Sequence, residues 1–160
     1  MILLIIAVLC LLMAFRWFRF TVCNLFYIAT HPFKVKAGRK RLNGFTDYVG
    51  CLGALESWIE DMFAYRSDVI DYADWPLVFA MKRWSGDCDA VASLAWYWAG
   101  KNNLHASYVS IIRPNHQPGH AVCLIKIGGV WNMVDSTGVV PFMGWPVHYP
   151  NCKIIIRKTR

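Results

Sequence analysis

At 160 residues and a net charge of +7, the chain has room for one domain of ordinary size, and its 56% hydrophobic share is high for a soluble protein. The charge is lopsided: residues 1–41 hold Arg16, Arg19, Lys34, Lys36, Arg39, Lys40 and Arg41 and no acid, whereas residues 42–160 hold ten basic and ten acidic side chains. Nucleic acid is therefore not an expected partner, because the remainder of the chain is neutral overall.

Residues 1–15, MILLIIAVLCLLMAF, form an unbroken apolar run. As a helix that run covers only ~22 Å, short of the ~30 Å hydrocarbon core of a bilayer. Extension through Trp17, Phe18 and Phe20, with Arg16 and Arg19 snorkelling to the headgroups, completes a span. Residues 1–33 are thus expected to be a membrane anchor followed by an interfacial amphipathic segment. The basic cluster after it places the domain on the cytoplasmic side by the positive-inside rule. A cleaved signal peptide, with an exported domain, is the alternative; it lacks a positive n-region and a small-x-small cleavage site. Residues 34–44, basic and holding Gly38 and Gly44, read as a linker, and 45–160 as the domain.

Within the domain, residues 54–65 place Leu55, Trp58, Ile59 and Met62 at helical spacing. Asp74-Trp75-Pro76 opens a second helix that runs to about Arg83. The helix expected from Cys88 to Ala99 is apolar almost all round, the mark of a central buried helix, and ends near Gly100 to Asn103. The period then changes to two. Strands are expected over 104–113, 120–127, 130–135 and 153–158, with Gly128-Gly129 as a hairpin turn. Helices followed by antiparallel strands give an α+β fold. Six cysteines show no CxxC or other tight pairing, and Cys51, Cys123 and Cys152 are expected as reduced, mostly buried thiols.

Cys88 stands where the polar turn Ser85-Gly86-Asp87 meets the central helix. In the first turn of a helix, unpaired N–H groups and the positive end of the macrodipole favour thiolate over thiol, and the same N–H groups can hold an oxyanion. Gly119-His120-Ala121-Val122 and Val134-Asp135-Ser136 follow. If Gly128-Gly129 is a two-residue loop, Ile127 opposes Val130 and Asp135 opposes Val122, one diagonal step from His120 on the same face. A three-residue loop would turn Asp135 to the other face.

Together, GDCDxxA around Cys88, GHAV around His120 and W..VDS ending at Ser136 resemble the transglutaminase-like branch of the papain-like superfamily, including its small bacterial and phage cysteine-peptidase-like members. The resemblance covers residues from about 74 to 142; where the family commonly has a second Asp and an aromatic after Cys-Asp, this chain has Ala90-Val91. It implies a papain-like α+β core, a Cys88–His120–Asp135 triad and cleavage or transfer of an amide or isopeptide acyl group of a peptide or protein, with hydrolysis favoured over transamidation.

In that mechanism His120 takes the Cys88 proton and later protonates the leaving amine, while Asp135 fixes the imidazole tautomer. The Cys88 N–H is one candidate oxyanion donor, and the indole of Trp84 or Trp75 is a candidate for the second. No cofactor is expected. A zinc site drawn from His116, His120, Cys123 and Cys88 or Asp89 is disfavoured, because strand alternation sends His120 and Cys123 to opposite faces. No EF-hand-type cluster suggests calcium. The competing function is a membrane-tethered binding or structural module of the same fold that makes no product.

Overall fold

The computed structural model describes residues 16–66, 74–115 and 119–159, without the side chains of residues 16–20 and Lys158. The apolar run 1–15 and His116 therefore lie outside the described residues. Among the described residues, no helix is long and apolar enough to cross a membrane.

Helices α1 (Arg16–Thr30), α2 (Pro32–Tyr48) and α3 (Leu52–Met62) come first, and then the two-residue strand β1 (Ala64–Tyr65). Next are α4 (Pro76–Met81), β2 (Ser85–Gly86) and α5 (Cys88–Lys101). The chain closes with β3 (His105–Ile112), β4 (His120–Ile127), β5 (Val130–Asp135), β6 (Gly138–Pro141), α6 (Trp145–His148) and β7 (Lys153–Thr159). The fold is mixed α+β: five antiparallel strands in the order β6-β5-β4-β3-β7 form the main sheet, and β1 pairs with β2 in parallel apart from it.

The α5 helix packs on β3, β4 and β5. Its Val91, Leu94, Ala95, Trp98 and Ala99 share one core with Ala106, Ala121, Cys123, Ile125 and Val134 of the sheet. Small residues on α5 let backbone and sheet approach closely, and Trp98 fills the larger gap while its indole N–H donates to the Val49 carbonyl. The other face of the sheet carries a smaller core of Val109, Ile111, Val122, Leu124 and Met133 under Phe142, Trp145 and Tyr149.

The segment expected as a basic linker is instead continuous helix within α2. Leu42 and Phe45 are buried in the main core, and Gly38 is buried where α2 meets α4. Gly38 is there because a Cβ would stand 2.4 Å from Met81 Cγ. Glycine in this helix thus marks a close approach of two elements rather than a break. Asn24 ties α1 to the same body, accepting a 2.8 Å hydrogen bond from the Trp75 N–H. Among the cysteines expected as mostly buried thiols, Cys123 is buried, Cys152 half-buried and Cys51 exposed; the described cysteines are free thiols.

Candidate active site

The turn before α5 is built to hold its first residue in place. Arg83 and Trp84 both take positive φ, 57° and 64°, which reverses the chain out of α4. Gly86 then passes so close to α5 that a Cβ there would meet Ala90 Cβ at 2.8 Å. Asp87 is the N-cap, its carboxylate accepting from the Asp89 N–H at 3.1 Å. Asp89, 5% exposed, accepts a hydrogen bond from the Tyr108 hydroxyl of β3. Cys88 is thereby fixed at the first position of α5, half-buried, where its own N–H has no intrahelical acceptor.

His120 and Asp135 meet because the β4–β5 hairpin has the two-residue loop. Gly128 and Gly129 take φ of 58° and 86°, and the ladder runs from Ile127 opposite Val130 to Cys123 opposite Val134. One further step along that register sets Asp135 against Val122. His120 Nε2 lies 2.8 Å from Asp135 Oδ2. With Nε2 engaged, Nδ1 is the ring nitrogen left for the sulfur, and Cys88 lies near enough to His120 to favour its protonated form.

The charges follow from these contacts. Burial disfavours the His120 imidazolium, but its interactions with Asp135 and Cys88 outweigh it and push its pKa up to about 9. Burial likewise works against the Asp135 carboxylate, and the His120, Ser136 and Tyr149 donors outweigh it, holding Asp135 below the usual carboxylate value. Asp135 Oδ2 also accepts from the Tyr149 hydroxyl at 3.0 Å, and Oδ1 from Ser136 Oγ at 3.0 Å. Tyr149 is raised well above the ordinary phenol range by burial and by Asp135, so it remains a neutral donor.

Sequence reasoning missed Tyr149, Ser136, Tyr65 and Arg113. Tyr149 follows α6, a helix of four residues whose only sequence signal is Pro146 near its start. Tyr65 reaches the site because β1 pairs with β2, setting Tyr65 beside Gly86. Burial, Cys88 and Asp87 raise its phenol, and Arg113 partly offsets them. Arg113 follows the end of β3 and acts electrostatically on Tyr149 as well.

Trp84, expected as a possible oxyanion donor, is 5% exposed and packs edge-on against Trp58 and Phe79, with Phe45 alongside. A ring enclosed by three aromatic neighbours is placed for packing. Trp75, 38% exposed, is the N-cap residue of α4. Cys123 lies in the helix-side core, away from the face that carries Val122 and Leu124. Among the described residues no group of three His, Cys, Asp or Glu side chains is placed to hold a metal ion.

No known family model matches the chain, and no curated protein matches it. Among solved structures it is similar to one described as "a Putative Cysteine Protease from Cytophaga hutchinsonii". The two share 17% identity with a TM-score of 0.48; the match covers 77% of this chain, which spans half the length of that one.

Proposed function

We propose that the protein is a thiol enzyme that cleaves an amide or isopeptide bond of a peptide or protein through an acyl thioester on Cys88. The observation that carries this reading is the position of His120, its Nε2 2.8 Å from Asp135 Oδ2 and its ring close enough to Cys88, at the start of α5, to interact with the thiol. A half-buried histidine kept only for packing has no need of a carboxylate held by three donors.

In the proposed reaction His120 accepts the Cys88 proton, and the sulfur attacks the carbonyl carbon. The oxyanion is held at the N-terminus of α5 by the Cys88 N–H. The C–N bond then breaks, the amine leaves with the proton from His120, and the Cys88 thioester remains. Water, deprotonated by His120, hydrolyses it. Asp135 keeps the imidazole in the productive tautomer throughout, and Tyr149 and Ser136 keep Asp135 ionised and oriented. The apolar run 1–15 would tether this activity to a membrane.

The test is acyl-enzyme trapping. The protein is treated with p-nitrophenyl acetate and its intact mass and tryptic peptides are measured. One acetyl group should appear first on Cys88, be removed by hydroxylamine, be absent in Cys88→Ser and form at least about a hundredfold more slowly in His120→Ala. Acetylation of Cys51 as readily as Cys88 would contradict the proposal.

A further inference from the structure

The basic run that stands out in the sequence plays no part in the Cys88 site. In α2, Lys34, Ala37 and Arg41 follow one another at helical spacing, i, i+3 and i+7, and all three line a cavity of about 610 Å³. Arg66, after β1, and Lys82 and Arg83, after α4, line the same cavity. Five cationic side chains from three separate parts of the chain therefore converge on one space, and among the described residues no acidic side chain lines it. Its volume suits a small-molecule site.

Lys82 is paired there with Asp74 at 2.8 Å. Among the described residues, Lys34, Arg41, Arg66 and Arg83 have no carboxylate within ion-pair distance. Gathering four like charges that no described carboxylate pairs raises the free energy of the folded chain, and an anion joining them would lower it. The cations are also held in place: Arg41 Nη1 donates to the Ala80 carbonyl at 3.2 Å, and the Lys34 and Lys82 ammonium groups lie 5.9 and 5.6 Å from the centre of the Tyr27 ring. Ser85 adds a hydroxyl to the wall.

Three guanidinium groups with an ammonium match an anion of several oxygens and more than one charge better than they match a single carboxylate. We propose that this cavity binds a phosphate-bearing ligand, with Arg41, Arg66 and Arg83 on the phosphate oxygens and Lys34 completing the charge. The phosphate could be carried by a lipid headgroup or by a soluble molecule. Phe33, 96% exposed, lines the cavity beside Lys34, and Tyr27 lines it as well. Apolar rings at the rim of a basic cavity suit a headgroup held at a membrane surface. None of Cys88, His120 and Asp135 lines the cavity, so binding there is tested independently of the proposed reaction.

The test is titration calorimetry of the full chain in neutral detergent. The titrants are inorganic pyrophosphate and, separately, detergent micelles containing phosphatidylglycerol or phosphatidylcholine. Saturable binding of one equivalent is expected with pyrophosphate, with phosphatidylglycerol, or with both, and none with phosphatidylcholine. Pyrophosphate binding identifies a soluble source, and binding of phosphatidylglycerol alone a lipid source. K34Q/R66Q should weaken binding about tenfold or more, and K34R/R66K should restore most of it. K36Q/K40Q removes the same charge from exposed α2 residues outside the cavity and should change affinity less than about twofold. The absence of saturable binding, or equal weakening by the two Gln pairs, overturns the proposal.

Discussion

Asp135 gathers three donors on two oxygens, from His120, Tyr149 and Ser136. In the proposed reaction its task is to remain ionised and still while His120 gains and loses a proton. Removing the Tyr149 hydroxyl in Tyr149→Phe leaves the ring packing and takes away one charge-assisted hydrogen bond. Acylation of Cys88 should then slow by about tenfold, measured with p-nitrophenyl acetate and with circular dichroism as the check on folding. The Cys, His and Asp of the site were readable because each sits on a strong local signal: a capped helix start, a strand beginning after a turn-rich loop, and the end of a hairpin strand. Tyr149, Tyr65 and Arg113 reach the site through contacts that no local pattern encodes.

At the scale of elements, the hairpin and the central helix follow directly from periodicity and turn chemistry. Gly128-Gly129 admits positive φ at both positions, and alternation then sets His120 and Asp135 on one face. β1 and β2 have two residues each, too few to show a period. α2 was hidden for a different reason: glycine and dense basic charge are the usual marks of a linker, but here Gly38 admits Met81 and the basic residues flank buried Leu42 and Phe45. Gly86 makes the comparable contact beside the nucleophile. In Gly86→Ala the new methyl would stand 2.8 Å from Ala90 Cβ and 3.3 Å from the Phe79 ring. Ala90 Cβ cannot rotate away, so β2 must move relative to α5. A loss of about 1–3 kcal/mol is expected from urea unfolding, together with slower Cys88 acylation in the protein that remains folded.

For the whole molecule, α5 is the element through which the rest is connected: its core face meets the sheet, Trp98 holds the α2–α3 junction, and its N-terminus carries Cys88 beside the start of β4. The His120 charge links this architecture to pH. Its folded pKa of about 9 exceeds the ordinary 6.5, so between these values the folded state binds more protons than the unfolded state. The resulting stabilisation is fully present below 6.5 and is lost as pH rises through about 9. The urea midpoint should therefore fall across that window, and His120→Gln should flatten the fall. Deprotonation of His120 over the same range also removes the acid that the leaving amine needs, so amide cleavage should decline on that limb.

The most direct test of the central claim, that Cys88 is activated by His120, is competitive alkylation with limiting iodoacetamide across pH, read thiol by thiol from tryptic peptides. Cys51 is exposed and Cys88 half-buried, so accessibility alone favours Cys51. The activated site predicts the reverse: Cys88 is alkylated faster than Cys51 at neutral pH, the difference grows as pH falls, and His120→Ala abolishes it. Labelling of Cys88 no faster than Cys51, with no response to His120→Ala, would contradict the account and leave the fold as a non-catalytic module.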